Sequence, residues 1–204
     1  MPFDGLSAQF DHNRYLVLRS AVKKRTVDLL HQYTLNYAGS GRATSDTQVP
    51  GAASAYGDPV MDRVLEDLLA GLEQVSGLQL YPTYSYFRVY RHGHVLGRHK
   101  DRPACEISLS LNLGNSGGAP WPLFIEGPHG ICAAALQPGD ALLYRGMECY
   151  HWREAFEGTT ASQVFLHYVD RNGPHREWRF DKRPKLSRDG IFSPPPPSDV
   201  HRML

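Results

Sequence analysis

The sequence predicts a mainly β protein, a sandwich or barrel supported by two N-terminal helices. Before residue 80, two stretches repeat their apolar residues at helical spacing. After it, strand-like runs follow one another at 84–91, 105–113, 121–125, 131–136, 140–144 and 162–169, with turn residues and no helix between them. Several short strands at close spacing are the pattern of a sandwich or barrel. At 204 residues the chain suits one domain with enough length to bury a core. Its expected parts are helical support over 1–80, a β core over 81–172 and a C-terminal extension over 173–204.

The elements can be justified in order. Tyr15–Leu18 is a short apolar run that suits a strand. From Ser20 to Tyr37 the apolar residues Val22, Val27, Leu30 and Tyr33 recur at helical spacing, and Ser20 is placed to cap the start. Residues 38–57 are rich in Gly, Ser, Ala and Thr without periodicity, which predicts a long loop, a lid or a disordered segment. Asp58-Pro59 opens a second helix to about Val75, with Val64, Leu65, Leu68 and Leu72 on one face and Gly77 after its end. The β runs are separated by Gly114-Asn115-Ser116-Gly117-Gly118, Gly127-Pro128 and Pro138-Gly139-Asp140. From Lys182 the chain is polar and holds Pro194-Pro195-Pro196-Pro197, the composition of an extended tail.

Composition excludes several classes of function. A net charge of +1 advertises neither a nucleic-acid nor an anionic-membrane partner. No run of eighteen apolar residues and no basic-then-apolar leader is present, so a cytoplasmic protein is expected. Cys105, Cys132 and Cys149 are odd in number and form no CxxC pair, which predicts buried free thiols in a reducing compartment.

The segment that carries chemistry is Tyr90-Arg-His-Gly-His-Val-Leu-Gly-Arg-His-Lys-Asp101. In extended chain, residues i and i+2 share a face, so His99 and Asp101 present an imidazole and a carboxylate to one point. His151 follows 151 − 99 = 52 positions later, after the turn and strand of Pro138-Gly-Asp-Ala-Leu-Leu-Tyr144. Two His and one carboxylate leave the other coordination positions of a metal open, which suits a non-haem iron(II) oxygenase. HxD by itself is a weak signal, since Asp101 in a surface turn that caps a backbone N–H reads the same way. Its setting, after a tyrosine-rich strand and before Glu106-Ile-Ser-Leu-Ser-Leu-Asn-Leu113, strengthens it.

At this point the sequence resembles the 2-oxoglutarate/iron(II) dioxygenases, in particular their prolyl-hydroxylase-like branch. The resemblance rests on Tyr90-x-x-Gly93, Leu96, His99-x-Asp101, Leu111-Asn112, Pro138-Gly139-Asp140, His151 and Gly158, over about residues 84–170. It implies a double-stranded β-helix (a jelly roll) with iron(II) at its mouth, held by His99, Asp101 and His151. It also implies 2-oxoglutarate and dioxygen as co-substrates, the former decarboxylated to succinate, with Tyr90 beside it. Hydroxylation of a C–H bond is the default outcome, and the presence of Asp101 disfavours halogenation, which needs that ligand position vacated.

One departure stands out. The family places an Arg or Lys nine or ten residues after the distal His, where this chain has Thr160 and Ala161. Thr160, Ser162 and Ser110 offer hydrogen bonds but no charge, and a buried carboxylate needs a cation, best an arginine. Arg88, two before Tyr90 on the same face, is the first candidate for the co-substrate's far carboxylate, and Arg145 the second. Nearby, Tyr86, Arg88 and Tyr90 form one wall, and His92 and His94 form a weaker HxH pair without a carboxylate. Arg102 and Glu106 read as an ion pair. Arg98, Arg153 and Glu154 read as rim charges, Trp121, Trp152 and Trp178 as core or substrate platforms, and His167 as a satisfied core histidine. Two rival readings are a cupin-type metal barrel that does not use 2-oxoglutarate and a silent binding module. No extended basic or aromatic groove appears, so the substrate is expected to be a small molecule, an amino acid or a peptide, bound by a monomer or homodimer.

Overall fold

The computed structural model describes residues 4–117 and 120–187. In chain order these form α1 (Asp4–Asn13), β1 (Tyr15–Leu18), α2 (Lys24–Gly39), β2 (Ala53–Tyr56), α3 (Pro59–Ser76), β3 (Leu80–Arg91) and β4 (Leu96–His99). Then come β5 (Ile107–Ser116), β6 (Leu123–Gly127), β7 (Gly130–Ala134), β8 (Ala141–Arg145), β9 (Tyr150–Arg153) and β10 (Thr160–Asp170). The Pro194–Pro197 stretch expected to be a tail lies outside the described residues.

The strands build two antiparallel sheets, one of six strands in the order β1-β8-β5-β10-β3-β2 and one of four in the order β4-β9-β6-β7. The fold is therefore mainly β, as the spacing of strand runs predicted, and jelly-roll-like, as the family resemblance implied. Period-2 alternation divides the large sheet cleanly. Leu109, Leu111, Leu113, Val164, Leu166 and Phe87 pack outward against the helices, with Phe10, Leu30, Met61 and Leu65 in the same apolar cluster. The opposite face turns Ser108, Ser110, Asn112, Gln163, Tyr86, Arg88 and Tyr90 toward the space between the sheets. Most of these are polar side chains, yet nearly all are buried. An interior that spends its buried positions on polar groups is built to bind something.

The helices differ from the sequence reading in number and start. Three support the sheet rather than two, because α1, with only Leu6 and Phe10 to dock, shows no periodicity worth reading, yet Phe10 is fully buried. Helix α2 begins at Lys24, not after Ser20. Ser20 instead takes a left-handed backbone (φ 49°) and donates its N–H to Asp140 Oδ1 at 2.9 Å. Helix α3 follows expectation: Asp58 Oδ1 accepts from the N–H groups of Val60 and Met61, and Gly77 closes it at φ 73°. Residues 38–57 are not one loop, since β2 pairs with β3 and Thr44 bridges to Ser54. Strands β4 and β9 are absent from the sequence-based strand runs because each is four residues long and largely polar. Among the described residues no helix is long and apolar enough to cross a membrane.

Candidate metal centre

Strands β4 and β9 are neighbours in the small sheet, and their register sets His99 directly opposite His151. Asp101 leaves the end of β4 and is held by its N–H, which donates to the carbonyl of Gly146 at 2.9 Å. One ligand atom from each of His99, Asp101 and His151 lies within 4.8 Å of the others. Nε2 of His99 is 3.8 Å from Asp101 Oδ1, and Nε2 of His151 is 3.7 Å from the same oxygen.

Hydrogen bonds on the far side of each ligand decide which atom faces this cluster. His99 Nδ1 lies 2.8 Å from the carbonyl of Gly97, and His151 Nδ1 lies 3.1 Å from the carbonyl of Cys149. A carbonyl only accepts, so Nδ1 carries the proton in both rings and Nε2 presents its lone pair. Burial lowers both imidazole pKa values, that of His151 to about 4, so both are neutral near pH 7. Ser108 Oγ donates to Asp101 Oδ2 at 2.8 Å, which leaves Oδ1 for a cation. His167 Nδ1 lies 2.9 Å from the same Oγ. With the serine proton committed to Asp101, His167 is the donor in that second bond. His167 is fully enclosed, its pKa also drawn down to about 4 by burial, and it acts as a satisfied core histidine.

Gly146 is a site residue that sequence reading missed. A Cβ there would overlap Asp101 Oδ2 and the carbonyl of Cys105, so only glycine lets the carboxylate sit this close to the chain. Arg102, next to Asp101, does not pair with Glu106 as expected. It donates two bonds to Asp181, at 2.9 and 2.7 Å, and Tyr56 Oη adds a third at 2.5 Å. Glu106 instead accepts from the N–H of Asp170. Asp181 is reached through three consecutive left-handed residues, Phe180, Asp181 and Lys182 (φ 54°, 55° and 60°), a conformation that costs energy and persists only when its contacts hold it.

The remaining candidates separate by position. Tyr90 is fully buried inside the barrel, and Arg88 donates to its hydroxyl at 3.0 Å. Arg88 also lies inside, but Asp46 from the 38–57 segment meets its Nη2 at 2.5 Å and Gln48 meets it at 2.9 Å. Tyr86 donates to the same Asp46 carboxylate. Ser110 Oγ is buried and has no hydrogen-bond partner. Arg145 points away from the barrel, toward Asp11 and Glu148 and over the ring of Phe10. Thr160 sits at the strand end on Ser116 Oγ, and Ser162 faces His31 on α2. His92 and His94 join no metal-binding group among the described residues; His94 Nδ1 accepts from the N–H of Arg91. The three cysteines are free thiols.

Arg153 was read as a rim charge, and its placement differs most. It is 1% exposed, among the largest fully buried side chains. It lies two positions beyond His151 on β9, so alternation carries it to the same inner face. That signal was present in the sequence. Arg153 donates to the carbonyl of Trp121 at 2.6 Å and to Gln163 Oε1 at 3.3 Å, while its Nε has no partner. Neither acceptor is charged, and burial lowers its pKa to about 10.

No protein-family model matches the chain, and no curated protein matches it in sequence. Solved structures do match it in shape. A prolyl-4-hydroxylase from Pseudomonas putida superposes with a TM-score of 0.68 at 16% identity, over 82% of this chain and 98% of that one. The non-heme alpha ketoglutarate dependent epimerase SnoN from nogalamycin biosynthesis gives 0.73 at 12% identity, over 94% and 93%. EctD from S. alaskensis, solved with 2-oxoglutarate and 5-hydroxyectoine, gives 0.69 at 18% identity, over 91% and 86%. At these identities the likeness is one of architecture, and the chain has the fold that these three proteins share.

Proposed function

We propose that this chain is a non-haem iron(II) oxygenase that couples 2-oxoglutarate decarboxylation to the oxidation, by default hydroxylation, of a small molecule. The observation that carries the reading is the donor trio of His99, Asp101 and His151. Two neutral imidazoles and one carboxylate oxygen converge, each with its other polar atom tied back to the protein. Three donors of this kind fit iron(II) and leave room for bidentate and gaseous ligands. The chain's passage between sheets supports a double-stranded β-helix with this trio at its mouth, because β3, β5, β8 and β10 interleave with β4, β6, β7 and β9. Two solved structures of EctD carry Fe or 2-oxoglutarate in this fold.

Dioxygen would be the oxidant, and bound iron(II) and 2-oxoglutarate would supply the electrons that activate it. The chain's own residues bind and orient. His99 and His151 offer Nε2, and Asp101 offers Oδ1 while Ser108 fixes Oδ2. Tyr90, its hydroxyl already met by Arg88, and the unpartnered Ser110 line the adjoining interior. Around them Tyr86 and Phe165 give the substrate side an aromatic wall. We read the chain as one domain acting in the cytoplasm on a small molecule or a peptide, without nucleic acid or membrane.

Anaerobic titration with iron(II) and then 2-oxoglutarate tests the reading directly. We expect stoichiometric iron binding, then the charge-transfer absorption of the chelate, and succinate once oxygen and a substrate are admitted. Iron binding without a 2-oxoglutarate band would favour a cupin-type barrel. Failure to bind iron would leave a silent module.

A further inference from the structure

We propose that Arg153 holds the far carboxylate of 2-oxoglutarate, taking over from β9 the role that a basic residue at 160 or 161 would play from β10. The inference rests on the functional reading above and names the group that completes its site. A buried cation without a counter-charge is costly, and proteins that keep one have a partner for it in the working state. Among the described residues, two arginines are buried inside the barrel. Arg88 is neutralised by Asp46. Arg153 has two neutral acceptors, an unpartnered Nε and, among the described residues, no carboxylate within ion-pair distance. Ser110 Oγ, also buried and unpartnered, projects from β5 into the same interior. The interior thus lacks one anion, and it also has a spare hydroxyl.

The surroundings hold Arg153 ready. Its guanidinium lies 4.7 Å from the centroid of the Trp121 ring, which supports its flat face. Asn112 Nδ2 donates to the carbonyl of Leu136 at 2.7 Å, so Asn112 Oδ1 must face Gln163. Gln163 Nε2 donates to that oxygen at 3.0 Å, which turns Gln163 Oε1 toward Arg153. A relay of two amides, fixed at one end by a backbone carbonyl, therefore orients the cation. Along β9, Arg153 follows His151 by two residues, roughly 7 Å of strand. A five-carbon diacid with its 2-oxo-carboxylate end at the His151 Nε2 cluster can reach a guanidinium at that separation.

The test measures binding of two oxoacids to iron(II)-loaded protein without oxygen. 2-Oxoglutarate carries the far carboxylate and 2-oxobutyrate lacks it. We expect wild-type protein to prefer 2-oxoglutarate by roughly a hundredfold or more, and Arg153→Gln and Arg153→Met to lose nearly all of that preference. Iron affinity, measured first, should stay within about threefold in both variants. Arg153→Lys should keep part of the preference, which guards against a folding defect in the uncharged variants. Variants that bind iron and still prefer 2-oxoglutarate as the wild type does would overturn the assignment and leave the functional reading intact. Wild-type protein that binds iron but shows no preference between the two acids would overturn both.

Discussion

Each proposed metal ligand depends on a neighbour that fixes its proton or its position, and these neighbours make sharp tests. We expect His99→Ala, Asp101→Ala and His151→Ala each to lose iron binding by at least tenfold and turnover entirely, with the fold retained by circular dichroism. His92→Ala and His94→Ala should bind iron as the wild type does. Gly146→Ala is the more discriminating change, because it alters no ligand. The new methyl would overlap Asp101 Oδ2, so Asp101 must move, and iron affinity should fall as far as for loss of a ligand. A wild-type iron isotherm for that variant would show that the carboxylate is not held where the Ser108 bond puts it. The HxD pair was legible because extended chain puts i and i+2 together, and the distal His through its place after the Pro138-Gly139-Asp140 turn and strand, in the order of the family that the sequence resembles. Gly146 was not, since close approach between segments forty-five residues apart in sequence leaves no local pattern. Arg153 was legible in principle, but an arginine beside a ligand reads as solvated until the fold shows how it is enclosed.

At the scale of elements, the 38–57 segment is a strap fastened by strand pairing at one end and by Asp46 and Gln48 on Arg88. Its composition predicted a mobile lid, but β2 joins the sheet and Asp46 enters the barrel to meet Arg88 and Tyr86. A loop rich in Gly, Ser and Thr carries no sign of a single acid that finds a buried partner. The Asp46 carboxyl, though desolvated, is held below its usual range by Arg88 and the bonds around it. Removing one member of such a pair leaves a charge uncompensated, so Asp46→Ala should cost about 3 kcal/mol or more of stability by denaturant titration. The same variant should be cut faster within 41–52 in limited proteolysis. Combining it with Arg88→Met should restore much of the loss, whereas simple additivity would mean that the pair does not interact. Strands of five residues or more, and the apolar Tyr15–Leu18, were found from their apolar runs and turn residues. The four-residue strands that carry the histidines were found only through the metal spacing, because ligands and rim charges displaced the apolar residues that mark a strand.

Over the whole molecule, the enclosed histidines set a response to acid. His151 and His167 have folded pKa values near 4, below the value near 6.5 of an unfolded chain. Between those limits the unfolded state binds more protons, so stability of the metal-free protein should rise from pH 4 to about 6.5 and then level off. The two groups together supply at most roughly 7 kcal/mol by linkage. A denaturation midpoint flat across that range would mean that water reaches both rings. On the proposed function, iron(II) should bind the folded state alone and raise the melting temperature with concentration. The Asp181 contact adds an order in time. Synthesis runs from the N-terminus, so His99, Asp101 and His151 are all made before Asp181 can reach Arg102. Until Asp181 is made, the arginine that follows Asp101 has no carboxylate to hold it.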